Sequence, residues 1–285
     1  MWRSNDGINW TRVVSQGFGR LTNAAVNRFA VFNNTLYAST WSYTTTQGLE
    51  IWRSNTGSSA SWTKVVDNGF NNPSNETVLS FEVFNGYLYA STYNYYSATG
   101  GGVWRTSTGD AGSWEQVNPG GFGIANTNQA VSALAAFNGY LYASTTGKTG
   151  YGSQVWRCQT CDGSDWTKVV DNGFGNSETR GMNALEVFSG QLYFVVGNRI
   201  TGLEVWRTAN GTDWEQIGFA GFGNSNNRET GWDNSTVVFN NNFYVGTLNT
   251  TDGGEVWMLI HKIFLPLVLR AYPKNGYNWV QEVSQ

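Results

Sequence analysis

Leu79-Ser80-Phe81-Glu82-Val83-Phe84-Asn85-Gly86-Tyr87-Leu88-Tyr89-Ala90-Ser91-Thr92 is the stretch on which the fold is read. Asn85-Gly86 separates two runs rich in aromatic and apolar residues. Both turn residues accept the positive φ that a two-residue hairpin demands, so the pair predicts two antiparallel strands. The same layout, an apolar run ending in Phe with a Tyr five residues on, recurs at Phe32/Tyr37, Phe84/Tyr89, Phe137/Tyr142, Phe188/Tyr193 and Phe239/Tyr244. A Trp-Arg pair follows, with Trp at 2, 52, 104, 156 and 206, and Trp257 continues the series without its Arg. A second Trp stands at 10, 62, 114, 166 and 214, and again at 279 after an insertion. Gly-Phe pairs then place Phe at 18, 70, 122, 174 and 222. Such concordant registers define a repeat of ~50 residues.

Each unit reads as four strands. In the second they are predicted over 79–84, 87–92, 102–106 and 114–117. No sustained helical period exists, so helices are expected to be nearly absent. Short antiparallel four-stranded units repeated radially predict an all-β fold, a five-bladed β-propeller, over a solenoid of parallel strands. The first two strands of the unit occur five times and the last two six times. The surplus copy at residues 2–14 is expected to close the ring, with 10–14 as the outer strand beside 235–258. Residues 278–283 offer a competing closure. Residues 1–258 thus read as the propeller and 259–285 as an appendage.

Composition narrows the function. Only 13% of residues are charged, against about 25% in an average soluble domain. Aromatics at 15% require a packed core and exclude disorder. A net charge of −3 argues against nucleic acid as a partner. The single histidine, His261, removes most histidine-ligated metal sites and most Ser-His or Cys-His nucleophiles, so no metal and no cofactor is expected. The longest apolar run, 263–269, is too short to span a bilayer and contains Pro266. No secretory signal is visible, and the chain opens within a repeat, which reads as a trimmed sequence. Low charge with abundant Asn, Thr, Gly and Tyr suits an extracellular or cell-surface protein.

Ser4-Asn5-Asp6-Gly7-Ile8-Asn9-Trp10 resembles the Asp-box, or bacterial neuraminidase repeat, Ser-x-Asp-x-Gly-x-x-Trp, with one residue fewer between Asp and Gly. Thr208-Ala209-Asn210-Gly211-Thr212-Asp213-Trp214 is a weaker copy, and the other hairpins keep the outline. The resemblance implies a structural hairpin between the third and fourth strands of a propeller blade. The family includes sialidases, other glycoside hydrolases and non-enzymatic binding propellers. A sialidase would imply an arginine cluster, a Tyr-Glu nucleophile pair and an acidic proton donor. No Phe-Arg-Ile-Pro segment is present. The repeated Arg3, Arg53, Arg105, Arg157 and Arg207 point in different directions around a ring, so they are expected to bond between blades.

Loops after the second strand and connections between blades share one face, where variable residues on a rigid scaffold usually bind. Their candidates are Trp41, Tyr43, Tyr93, Tyr95, Tyr151, Arg180, Arg228, Glu229, Trp232 and Asp233. Aromatic rings stack on sugar C–H faces, and Asn, Thr and Arg bond hydroxyls, so a glycan is the leading ligand class. Packing over blade ends and turn capping explain the same residues otherwise. Glycosidases need two close carboxyls, and only Glu229 and Asp233 are neighbours in sequence on this face, so no catalytic residue is assigned. Cys158 and Cys161 are read as a disulfide stapling a hairpin or as two free thiols. The expectation is a non-enzymatic binding or scaffold module, its partner a glycan or surface protein. The alternatives are a sialidase-type glycoside hydrolase and a protein-binding scaffold.

Overall fold

The computed structural model describes residues 1–44, 46–94, 99–231, 235–260 and 263–267. The chain is all-β. A short ribbon, β1 (Trp2–Arg3) and β2 (Thr11–Arg12), precedes four-stranded antiparallel sheets. The first holds β3 (Asn23–Phe32), β4 (Thr35–Ser42), β5 (Ile51–Ser54) and β6 (Thr63–Val66). The second holds β7 (Thr77–Phe84), β8 (Tyr87–Tyr93), β9 (Val103–Thr106) and β10 (Glu115–Gln116). It is joined to the third, β11 (Asn128–Phe137), β12 (Tyr140–Gly147), β13 (Val155–Cys158) and β14 (Thr167–Val170), through the pair Tyr93 and Ala130. The fourth holds β15 (Thr179–Phe188), β16 (Gln191–Asn198), β17 (Glu204–Thr208) and β18 (Glu215–Ile217). Last come β19 (Thr236–Phe239), β20 (Asn242–Gly246), β21 (Val256–Ile260) and β22 (Ile263–Leu267).

Every first hairpin turns as the Asn-Gly signal requires. Asn85 and Gly86 take φ of 47° and 78°, and Asn138 and Gly139 take 47° and 77°. The core lies between sheets rather than within one. Phe32, Tyr37 and Ile51 of the first sheet meet Val78, Leu88 and Ala90 of the second, and equivalent layers join second to third, third to fourth and fourth to fifth.

A short turn carries the Gly-Phe pair from one sheet to the next. Gly69 N donates to Leu49 O of the sheet just left (2.8 Å), while the Phe70 ring stacks on Trp104 of the sheet ahead, centroids 4.3 Å apart. Phe18 on Trp52, Phe122 on Trp156, Phe174 on Trp206 and Phe222 on Trp257 repeat the stack. Phe70 itself sits at φ 60°, a conformation that costs a side-chain-bearing residue about 1–2 kcal/mol. Burying a phenyl ring returns about 1.5–3 kcal/mol, which keeps the strained turn in place.

The outer strand of the last sheet differs from expectation. The edge of the last sheet is β22, within the segment assigned to an appendage, and it pairs with β21 through Met258 and Leu265. Residues 10–14 do not lie there: β2 pairs with β1, and Val13 N donates to Met1 O (3.0 Å). The pattern Trp-Thr-Arg-Val-Val marks a strand at Thr11–Arg12, but a pattern does not name a strand's partner, which here is β1. Pro266 in β22 suits an edge, where the missing N–H breaks no ladder. Residues 278–283 lie outside the described residues.

Candidate active site

Each innermost strand carries one residue paired with the recurrent Tyr. These are Ala30 on Tyr37, Glu82 on Tyr89, Ala135 on Tyr142, Glu186 on Tyr193 and Val237 on Tyr244. Three units place a small or branched apolar residue there and two place a carboxylate. Both carboxylates are half-buried. Burial pushes the Glu82 carboxyl up to about 7; a hydrogen bond from the Ala136 backbone opposes the rise, and the negative charge of Glu186 reinforces it. Burial also raises the Glu186 carboxyl, against hydrogen bonds from the Val187 backbone and the Thr236 side chain. The Glu82 carboxyl on β7 therefore feels the charge of Glu186 on β15, and burial above all pushes it up to about 7. Such a pair can give and take a proton within one reaction.

Sequence reasoning missed both residues. In one strand a Glu amid apolar residues looks like a solvated side chain. The available signal was the departure of units two and four from the Ala or Val of the other three.

The rim candidates fall into two groups. Trp41, Tyr43 and Tyr151 are 41%, 60% and 55% exposed, and Arg228 is exposed as well. Tyr93, Arg180 and Glu229 are tied into the ends of the inner strands. Tyr93 packs on Leu79, Ala130 and Met182, which come from β7, β11 and β15. Glu229 Oε2 accepts from Met182 N (3.0 Å), and a Cβ on Gly181 would come within 2.8 Å of that oxygen. Arg180 pairs with Glu178 at 3.5 Å, and its Nε is buried without an acceptor. Tyr95, Trp232 and Asp233 lie outside the described residues. Among the described residues no group of three or more His, Cys, Asp or Glu could hold a metal ion, and no helix is long and apolar enough to cross a membrane.

Three of the five repeated arginines bond between units, while Arg157 and Arg207 meet Tyr142 and Glu215 of their own sheets. Arg3 Nη1 donates to Thr56 O (2.9 Å), Arg53 pairs with Asp110 (2.7 Å) and Arg105 Nη1 donates to Thr160 O (3.0 Å). In the outer hairpins a Ser or Thr hydroxyl accepts the N–H three residues on: Ser4 from Gly7, Ser54 from Gly57, Thr106 from Gly109 and Thr208 from Gly211. The third sheet's hairpin has Cys158 and Cys161 at those two positions, joined as a disulfide. Cys161 even keeps the positive φ, 53°, that glycine takes in the other hairpins. A covalent bond thus replaces the hydroxyl–amide bond, and both cysteines are structural.

No family model matches this chain, and no curated protein matches it. Solved structures do share its fold. A Trypanosoma rangeli sialidase superposes over 87% of this chain and 48% of its own, with 10% identity and a TM-score of 0.52. A prolyl endopeptidase does so over 89% and 35%, with 12% identity and a TM-score of 0.54. An α-L-arabinofuranosidase from Clostridium thermocellum covers 85% of this chain and 93% of its own, at 15% identity and a TM-score of 0.46. The chain spans about half the sialidase and a third of the endopeptidase. Identity this low speaks for a shared fold, the β-propeller of sialidase-like proteins. The expectation of a non-enzymatic module is corrected by these neighbours: the sialidase and the prolyl endopeptidase that share the fold are enzymes.

Proposed function

We propose that the five sheets are blades of one propeller and that the chain is a glycoside hydrolase, with Glu82 as proton donor and Glu186 as the second carboxylate. The observation that carries this reading is the carboxyl pair on β7 and β15, of which Glu82 keeps its proton to about pH 7. Glycosidic bonds are stable until the leaving oxygen is protonated while negative charge supports the oxocarbenium-like carbon. One protonated and one ionised carboxyl supply both. With Glu82 titrating near neutrality, Glu186 serves as nucleophile or as base toward water. Tyr93, Arg180 and Glu229 sit at the ends of strands β7–β15, where a sugar entering from the rim would meet a ring face and polar groups. The exposed Trp41, Tyr43, Tyr151 and Arg228 extend that surface for a longer glycan. A secreted or surface-exposed setting fits such a substrate.

The test is hydrolysis of aryl glycosides, a sialoside among them, by the wild-type chain and by Glu82→Gln and Glu186→Gln. Hydrolysis lost at least about 100-fold in each variant, with folding retained, is expected from removal of a general acid or its partner. Equal turnover in wild type and both variants would dismiss the assignment.

A further inference from the structure

A different set of residues marks a second site, independent of the carboxyl pair. Two positions before four of the five stacked tryptophans stands a side chain that accepts the indole N–H. Trp52 donates to Glu50 (3.0 Å), Trp156 to Gln154 (3.0 Å), Trp206 to Glu204 (2.9 Å) and Trp257 to Glu255 (2.9 Å). In the second unit that position is Gly102, and Trp104 Nε1 is buried with no acceptor. Orphan indoles also occur at Trp62, Trp114 and Trp214, in the other tryptophan row, where no acceptor recurs. Within the stacked row Trp104 is the exception among the described residues.

More than one bond is missing there. In the first unit Glu50 also accepts from Asn23 Nδ2 (2.6 Å) and pairs with Lys64 (3.2 Å). The matching Asn75 and Gln116 meet no carboxylate in the second unit; Asn75 Nδ2 donates to Gly69 O (2.8 Å). Gly102 has no positive φ, so its backbone does not require glycine; the absent side chain leaves Trp104 Nε1 close against it, 2.8 Å from where a Cβ would stand. A cavity of about 410 Å³ opens beside it, lined by Phe70, Asn75, Thr99, Gly102, Trp104 and Gln116. Its lining combines the face of a stacked aromatic pair with four N–H-bearing side chains, Asn72, Asn75, Trp104 and Gln116, and it contains no acid.

We propose that this cavity binds a small organic carboxylate, of the size of an acidic monosaccharide. One carboxylate oxygen takes the place on Trp104 Nε1 that Glu50, Glu204 and Glu255 fill in their own units. Asn75 and Gln116 donate to the remaining lone pairs, and the carbon skeleton lies against Phe70 and Trp104. A carboxylate is favoured over a neutral group because three of the four acceptors in the other units are carboxylates. With no cation in the lining, affinity rests on neutral donors and is expected in the millimolar range.

Propionate and glucuronate are the probes, titrated into full-length protein carrying ¹⁵N-labelled tryptophan. The Trp104 indole resonance is assigned by its absence in Trp104→Phe, which keeps the stack and removes the donor. The expected result is a saturable shift of that resonance, with calorimetric affinity weakened tenfold or more in Trp104→Phe and abolished in Gly102→Glu, whose own carboxylate fills the cavity. A Trp104 resonance that stays put as both acids pass well beyond millimolar concentration would overturn the proposal. So would affinity unchanged in Trp104→Phe, a variant whose folding does not depend on fitting a larger side chain.

Discussion

The layer between sheets and the inner edge of the sheets obey opposite rules. Between sheets the units agree: Phe70 on Trp104 is repeated by Phe18 on Trp52 and Phe122 on Trp156, with a second Trp edge-on at 62, 114 and 166. Along the inner edge they differ, Glu82 and Glu186 standing where Ala30, Ala135 and Val237 stand elsewhere. A residue present in every unit points in as many directions as there are units and can only hold neighbours together. Chemistry needs groups that converge once, so it is found where the repeat is broken. Gly102 and the Cys158–Cys161 bond are further breaks, one removing an indole acceptor and one exchanging a hydrogen bond for a covalent one.

That contrast can be attacked at several points. The largest effect is expected from Glu82→Gln, with hydrolysis down at least about 100-fold and thermal unfolding little changed, read by paired rate and melting measurements. Phe70→Ala should do the reverse, costing about 3 kcal/mol in denaturant unfolding while the turnover of the folded fraction holds. If Phe70→Ala abolished turnover in a fully folded protein, the separation of the two regions would fail.

A smaller signature lies in pH. The folded Glu82 carboxyl titrates at about 7, against an ordinary value of 4.5. Between those values the folded state binds more protons at this group than the unfolded, so its contribution to stability is fully present below about 4.5 and is lost as pH rises through about 7. Melting temperatures across that window should decline in wild type and decline less in Glu82→Gln. The smallest change is expected from the double variant Cys158→Ser with Cys161→Gly, which rebuilds the hydroxyl–amide bond of the other hairpins. Loss of a short-loop disulfide, about 2 kcal/mol, offset by one hydrogen bond, about 1 kcal/mol, leaves a net cost near 1 kcal/mol by chemical denaturation.

Much of the fold was legible because its determinants are local. Asn85-Gly86 states its own hairpin, and Gly69-Phe70 recurs at a spacing that only a repeat explains. The outer strand of the last sheet was not, since 10–14 carry the repeat's strand pattern while 263–267 read only as an apolar run of the appendage, and tertiary packing decides which one lies on β21. The rim could be outlined from loop composition, yet composition does not separate an exposed Tyr43 from a packed Tyr93. Glu82 and Glu186 stayed hidden because their meaning lies in an encounter between β7 and β15, two sheets apart. The disulfide could be anticipated from two cysteines three residues apart; that it stands in for a serine hydroxyl required the backbone of the other four hairpins.

Carboxyl carbon chemical shifts of ¹³C-glutamate-labelled protein, followed from pH 3 to 9, address the acid pair without assuming any substrate. One resonance should titrate near pH 7, vanish in Glu82→Gln, and move to lower pH in Glu186→Gln, where the neighbouring negative charge is gone. If every glutamate has finished titrating by about pH 5, or if the high-pH titration is indifferent to Glu186→Gln, the two carboxyls do not form a pair.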